Sequence, residues 1–317
     1  MNTVKQADIY DKNDRLILEN CTLCPRECRV NRFEGGTGYC ASDAGLNIAS
    51  VCIHKGEEPV ISGTEGICNI FFSGCNLHCI YCQNHEISQC ISNGSSAPSD
   101  LDEILDKIVK ILSDGIPAIG FVSPSHVVPM VKAIIKDLNS RGYKPLTVYN
   151  TNSYDKVETI RSLAGLIDVY LPDYKYVSKR MASEYSDASD YPEVALKAIK
   201  EMYYQKGSSF RIDENGRAEN GLLIRHLVLP GHAEESKKVL ISIAEELSPG
   251  VHLSLMSQYH PTSQVRHHPM LNRTLYKEEY EAVVEVMESL GFRNGWVQDM
   301  DSSLNYRPDF SKENPFE

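Results

Sequence analysis

The sequence predicts an α/β fold, a partial (β/α)6 barrel preceded by a cysteine-rich N-terminal extension, with the extension at residues 1–60 and the barrel at 61–317. Three observations lead there. Six short apolar runs of strand length alternate with six longer segments of helical period, and such alternation implies a parallel sheet, because each return to the same edge needs a crossover helix. Six strands are too few to close a barrel. The third observation is size: 317 residues, 42% of them hydrophobic, supply one large core and an appended segment.

In chain order, Ala7 to Asn20 reads as a short amphipathic helix, and a turn-rich, cysteine-rich stretch follows it. Predicted strands are Cys68–Ser73, Ala118–Ser123, Leu146–Asn150, Asp168–Leu171, Leu222–Leu229 and His252–Ser257. Between and after them lie helices at Leu101–Ser113, Ser125–Ser140, Tyr154–Ala164, Glu193–Gln205, Glu234–Leu247 and Lys277–Leu290. Several ends are marked. Ser99 and Asp100 can cap the first of these helices, Pro192 suits the first turn of the fourth, and Gly115, Gly142, Gly207 and Gly291 sit just past helix ends. Ser92 to Ser99 reads as a solvated linker, and the charged residues after Asp299 as a solvated tail.

Composition narrows the partners. A net charge of −11 argues against a nucleic acid held by its phosphates. No apolar run approaches the length of a membrane span, and the first residues lack the basic and apolar blocks of a signal peptide. The expected setting is the cytoplasm, with no membrane partner. There ten cysteines read as metal ligands and thiols rather than disulfides, and a cluster would need low oxygen.

Cys75, Cys79 and Cys82 form a C-x3-C-x2-C triplet directly after the apolar run Ile67 to Phe72. Gly74 lets the backbone turn there, which puts the triplet on a loop at a strand's carboxyl end, where α/β folds place their sites. A 4Fe-4S cluster that only carries electrons takes four thiolates; three leave one iron open. An open iron can bind the amino and carboxylate groups of S-adenosylmethionine and pass an electron to its sulfonium, yielding a 5′-deoxyadenosyl radical. A zinc knuckle or scattered thiols are the alternative, but structural zinc wants four ligands and no fourth stands beside the triplet.

With Tyr81 before its last cysteine, the triplet resembles the signature of the radical S-adenosylmethionine superfamily. More narrowly, the stretches Cys75 to Asn84, Leu171 to Lys175, Val228 to His232 and Met256 to Pro261 resemble the activating enzymes of pyruvate formate-lyase, over the chain from about residue 60 onward. The resemblance implies the partial barrel as well. It also implies that Tyr81 and Gln83 contact the adenine, that Asp173 and Lys175 hold the ribose, and that His260 approaches the methionyl end. The strand-end segment Asn150-Thr151-Asn152 offers amides to the same ligand, and Arg225, inside the fifth strand, can carry a positive charge toward a carboxylate. One departure stands out. Where the superfamily commonly has Gly-Gly-Glu-Pro after its second strand, this chain reads Ser123-Pro124-Ser125-His126, so Ser123 and the backbone there are the candidates for the amino-group contact.

Cys21, Cys24, Cys28 and Cys40 form a second constellation, which can wrap a zinc ion or a second iron–sulfur cluster, or remain a set of reduced thiols. Cys52, Cys68 and Cys90 have no partner spacing and read as simple thiols. The leading functional expectation is a radical enzyme that abstracts hydrogen, in the manner of an activase for a glycyl-radical enzyme such as pyruvate formate-lyase, with flavodoxin or ferredoxin as electron donor. Modification of another peptide or a small molecule, a non-catalytic electron carrier and a zinc-stabilised scaffold are the alternatives.

Overall fold

The computed structural model describes residues 9–89, 100–301, 308–312 and 314–316. Its strands are β1 (Ile48–His54), β2 (Ile67–Phe72), β3 (Ala118–Val122), β4 (Leu146–Thr151), β5 (Val169–Pro172), β6 (Arg211–Ile212), β7 (Ala218–Leu227), β8 (His252–Met256) and β9 (Gly295–Val297). The helices are α1 (Lys12–Glu19), α2 (Pro59–Ser62), α3 (His85–Ser88), α4 (Leu101–Ser113), α5 (Val128–Ser140), α6 (Val157–Arg161), α7 (Lys179–Ser186), α8 (Tyr191–Lys206), α9 (Ala233–Glu246) and α10 (Lys277–Ser289). The sheet runs β1-β2-β3-β4-β5-β7-β8-β9, with β6 hairpinned onto β7.

From β2 to β9 along this path every neighbour is parallel. All residues of β2, β3 and β5 are buried, as expected of strands covered on both faces. The six expected strands are all present, and β9 adds a short seventh at one end. At the other end β1 pairs antiparallel with β2, Val51 opposite Ile70 and Ile53 opposite Cys68, so residues 48–54 belong to the sheet. Leu18, Leu23, Ala44 and Leu46 lie in the same apolar cluster as Ile70, Phe121 and Tyr149.

Departures from the expected elements have local causes. The first helix begins at Lys12, where the Asp11 carboxylate accepts from Asp14 N at 2.8 Å, an N-cap; Ala7 and Asp8 lie outside the described residues, as do Cys90 and the linker at 92–99. The second crossover helix starts at Val128 rather than Ser125, because Ser123 sits in the left-handed region at φ 49° and a 3-10 turn spans Pro124–His126. Tyr154–Ala164 shortens to the five residues of α6. Helix α7 was not foreseen; Ser178 caps it by accepting from Met181 N. The C-terminal residues are more than a solvated tail. Phe310 and Phe316 pack on Phe71 with ring centroids 5.4 and 5.7 Å away, and Phe316 lies 4.0 Å from the His54 ring.

Candidate functional site

The loop that leaves β2 carries the triplet. Gly74 takes φ 79°, and a Cβ there would stand 2.0 Å from Cys40 O, so only glycine lets the loop pass so close to the N-terminal segment. The loop is pinned by backbone bonds from Ser73 N to Asn47 O, Gly74 N to Ile87 O and Ile80 N to Tyr185 O. Cys75 and Cys79 are buried and Cys82 is half-buried. Each sulfur has a polar neighbour. Leu77 N and Asn152 Nδ2 donate to Cys75 Sγ, both at 3.4 Å; the Ser186 hydroxyl is 3.0 Å from Cys79 Sγ and the Ser88 hydroxyl 3.3 Å from Cys82 Sγ.

Burial pushes all three thiols above their ordinary range, Cys79 to about 11, while the Lys175 charge pulls the other way on each. Such thiols ionise when a metal takes the proton's place. Three thiols, ringed by groups able to hydrogen-bond sulfur, are a donor set that fits an iron–sulfur cluster. Among the described residues no three His, Cys, Asp or Glu side chains already stand at metal-coordinating spacing.

The next strand ends assemble a charged network beside this loop. Lys175 Nζ donates to Asp173 Oδ2 at 2.7 Å, and Arg225 Nε to Asp173 Oδ1 at 2.9 Å. Arg225 also reaches Asn150 Oδ1 at 2.7 Å and Glu57 Oε2 at 3.2 Å. Burial opposes charge on Asp173, but Arg225 and Lys175 outweigh it and hold the carboxyl below its usual range. Burial likewise opposes charge on Lys175, and Asp173 with Cys79 reverses the sign, raising it. Charge on Arg225 is stabilised beyond the ordinary, its partners again outweighing burial.

The structure therefore brings Asn150, Asp173, Lys175 and Arg225 into one network, with Lys175 near the triplet. Asn152 belongs to the cysteine loop instead, donating to Cys75 Sγ and to Asn76 Oδ1 at 2.9 Å. Gln83 Nε2 donates to His260 O at 2.7 Å, which ties the triplet loop to the end of β8. Tyr81 is buried, its hydroxyl 2.5 Å from that of Tyr176. Ser123 N donates to Asn150 O at 2.7 Å, placing the turn after β3 beside the network. In the N-terminal segment, Cys21, Cys24 and Cys40 are buried and Cys28 is half-buried.

Glu57 was missed. It accepts from Asn69 Nδ2 at 3.0 Å, Asn150 Nδ2 at 3.3 Å and Arg225. In sequence, Lys55 to Pro59 looks like a solvated charged turn; the one hint was Asn69, a polar residue inside an apolar strand that needs a partner. Glu58, beside it, is buried, and burial raises its carboxyl above the ordinary range. Ser186 was missed with helix α7, and Tyr176 in the segment just before it. They continue a chain of hydroxyls from Tyr81 to Cys79, Tyr176 to Ser186 being 3.1 Å.

A family model described as a 4Fe-4S single cluster domain matches residues 61–189. An uncharacterised protein of Methanocaldococcus jannaschii, MJ0674, is 30% identical over 277 residues, covering 86% of this chain and 75% of the relative. Among solved structures, Streptococcus suis SuiB bound to its precursor peptide SuiA aligns with a TM-score of 0.49 at 12% identity, over 71% of this chain and 46% of that one. The FeFe-hydrogenase maturase HydG from Carboxydothermus hydrogenoformans aligns with a TM-score of 0.49 at 14% identity, over 72% and 52%. The chain spans about half the length of these two solved chains.

Proposed function

The chain belongs to one family with its archaeal relative, and from the cysteine triplet within its match to a 4Fe-4S domain we propose a radical S-adenosylmethionine enzyme, one that reductively cleaves S-adenosylmethionine to a 5′-deoxyadenosyl radical. That radical abstracts a hydrogen atom from a polypeptide partner, a glycyl-radical protein being the reading its subgroup motifs favour. Reduced flavodoxin or ferredoxin supplies the electron, in a cytoplasm low in oxygen.

The observation that carries this is the position of three buried or half-buried thiols at the end of β2, facing a charged network on the neighbouring strand ends. Cys75, Cys79 and Cys82 would hold the 4Fe-4S cluster, whose supply is an electron and one iron free of protein thiolate. The chain's own residues bind and orient. Asp173 keeps lone pairs for ribose hydroxyls even with Arg225 and Lys175 engaged, because an ionised carboxylate offers about four acceptor sites. Lys175 has a spare N–H for a carboxylate and Asn150 a spare acceptor lone pair. Ser123, turned at φ 49°, presents hydroxyl and backbone to an amino group. Gln83, anchored on His260 O, and Tyr81 close the adenine side.

The test is anaerobic reconstitution, reduction with dithionite or flavodoxin, and chromatography for 5′-deoxyadenosine. The expected result is 5′-deoxyadenosine and methionine in equal amounts from the wild type and neither from Cys79→Ala. A fully loaded cluster that binds no S-adenosylmethionine by calorimetry and forms no 5′-deoxyadenosine would sink the proposal and leave the electron carrier. For the substrate, a copurifying protein that gains a glycyl radical signal by electron spin resonance is expected.

A further inference from the structure

Arg32 is an arginine in an unusual place. It is 3% exposed and contributes to no ion pair among the described residues. Guanidinium stays charged in proteins, and a buried charge without an opposite partner is costly. Its bonds show where the compensation lies. Nη1 donates to His126 O at 2.8 Å, while Nε and Nη2 donate to Cys21 Sγ at 3.2 Å and Cys40 Sγ at 3.3 Å. The Nε and Nη2 groups form one edge of the guanidinium, the fork that elsewhere clasps a carboxylate. Here two sulfurs stand where the two oxygens would be.

Backbone bonds fold the cysteine-bearing segment around Arg32 into two limbs. Cys21 N donates to Val30 O and Arg29 N to Cys21 O, closing the 21–30 segment as a hairpin, and Glu27 N to Cys24 O turns its tip. Glu27 and Arg29 take left-handed φ values of 40° and 57° to do so. Cys28 meets the second limb of the site: Tyr39 N donates to Cys28 Sγ at 3.3 Å, and a Cβ on Gly38 would fall 2.9 Å from that sulfur. Strained non-glycine turns persist only where the surroundings over-determine them.

We propose that Cys21, Cys24, Cys28 and Cys40 bind one structural zinc ion, with Arg32 as the buried cation that offsets the charge of its thiolates. Four thiolates on a divalent ion leave a double negative charge, and one guanidinium edge on two of them offsets half of it. Two sulfurs on one edge lie side by side, as on a tetrahedral ion with Zn–S of about 2.3 Å; in a cubane each thiolate goes to a different iron. The side chains are not closed on one point, as those of the 75–82 triplet are not. What the zinc would hold is the cover of the triplet loop: Arg26 Nε donates to Asn76 O at 3.0 Å, Tyr39 stacks on His78 at 4.1 Å, and Ser42 Oγ donates to Ser73 O at 3.2 Å.

The experiment is metal analysis and zinc X-ray absorption on full-length protein purified anaerobically, washed with chelator, and reconstituted with iron and sulfide. About one zinc per chain with a sulfur-only shell near 2.3 Å, beside about four irons, is expected. The double variant Cys21→Ser, Cys40→Ser should lose the zinc and keep the iron. Arg32→Gln should release zinc to chelator at least tenfold more readily, the usual cost of losing such an outer partner. Wild-type protein without zinc, an oxygen or nitrogen shell, about eight irons per chain, or zinc retained by the double variant would each overturn the proposal. The absorption measurement needs no variant, so a misfolded one leaves the test intact.

Discussion

Arg225 meets Asp173, Glu57 and Asn150 at once, and most of this cluster was readable because Asn150, Asp173 and Lys175 fall just where strands end. Glu57 was not, since nothing local marks a carboxylate that reaches into the barrel from a turn before β2. The ion pairs are enclosed, with the Arg225 and Asp173 side chains 14% and 19% exposed, so removing one partner strands the others. Asp173→Asn should cost about 3 kcal/mol, the low end for breaking a buried pair, measured by urea denaturation; a loss below about 1 kcal/mol would mean solvent already screens the site. The pH dependence follows from the directions. Asp173, depressed, contributes stability that is present above the ordinary carboxylate range and lost as pH falls through its folded value. Lys175, raised, contributes stability that is present below the ordinary lysine range and lost as pH rises through its folded value. Between about pH 5 and pH 10 the pair is therefore intact, and the Asp173→Asn deficit should shrink below about pH 4.

Strands β2, β3 and β5 were legible because strands buried on both faces read as nearly continuous apolar runs, and β4, β7 and β8 by the shorter apolar stretches within them. The elements that escaped have weaker signatures. Helix α7 reads Lys-Arg-Met-Ala-Ser-Glu-Tyr-Ser with few apolar residues, and β1 lies in a stretch whose cysteines and glycines draw attention to turns. Both matter to the site, α7 through Ser186 against Cys79 and β1 as the partner of β2. Between them runs the triplet loop, whose geometry turns on Gly74. Gly74→Ala would put a methyl 2.0 Å from Cys40 O and 2.8 Å from Ser42 Oγ while demanding φ 79° of an alanine. The backbone contact between triplet loop and N-terminal segment must then open. Iron retention after reconstitution should fall severalfold and the melting temperature should drop by several degrees, whereas Gly115→Ala, at a glycine of similar positive φ with open space around it, should lower stability by only about 1 kcal/mol and leave iron content unchanged. Equal iron content in the two variants would show that the loop tolerates the shift.

The cysteine-rich extension was read from sequence as an appendage, because its glycines and polar turns supply no core of their own. Its apolar residues are spent in the barrel's core: Leu18, Leu23 and Leu46 are each 4% exposed or less, in one cluster with the strand residues. Across the chain, Thr159 Oγ1 donates to Leu23 O at 2.7 Å, Lys132 Nζ pairs with Asp14 at 2.9 Å, and Arg32 donates to His126 O. Strand β1 adds its ladder to β2, and Phe310 and Phe316 cover the outer face of that pair at Phe71. A barrel stripped of β1 would leave an unpaired edge of β2, the strand that leads into the triplet loop, and an exposed apolar edge is a template for aggregation. The whole chain should therefore melt in one calorimetric transition, with calorimetric and van 't Hoff enthalpies equal. A fragment that begins at residue 61 should aggregate on expression or melt well below the whole protein, and should retain less iron. Two separable transitions, or a fragment as stable as the parent, would show that the extension contributes nothing to the barrel's core despite the burial of its leucines.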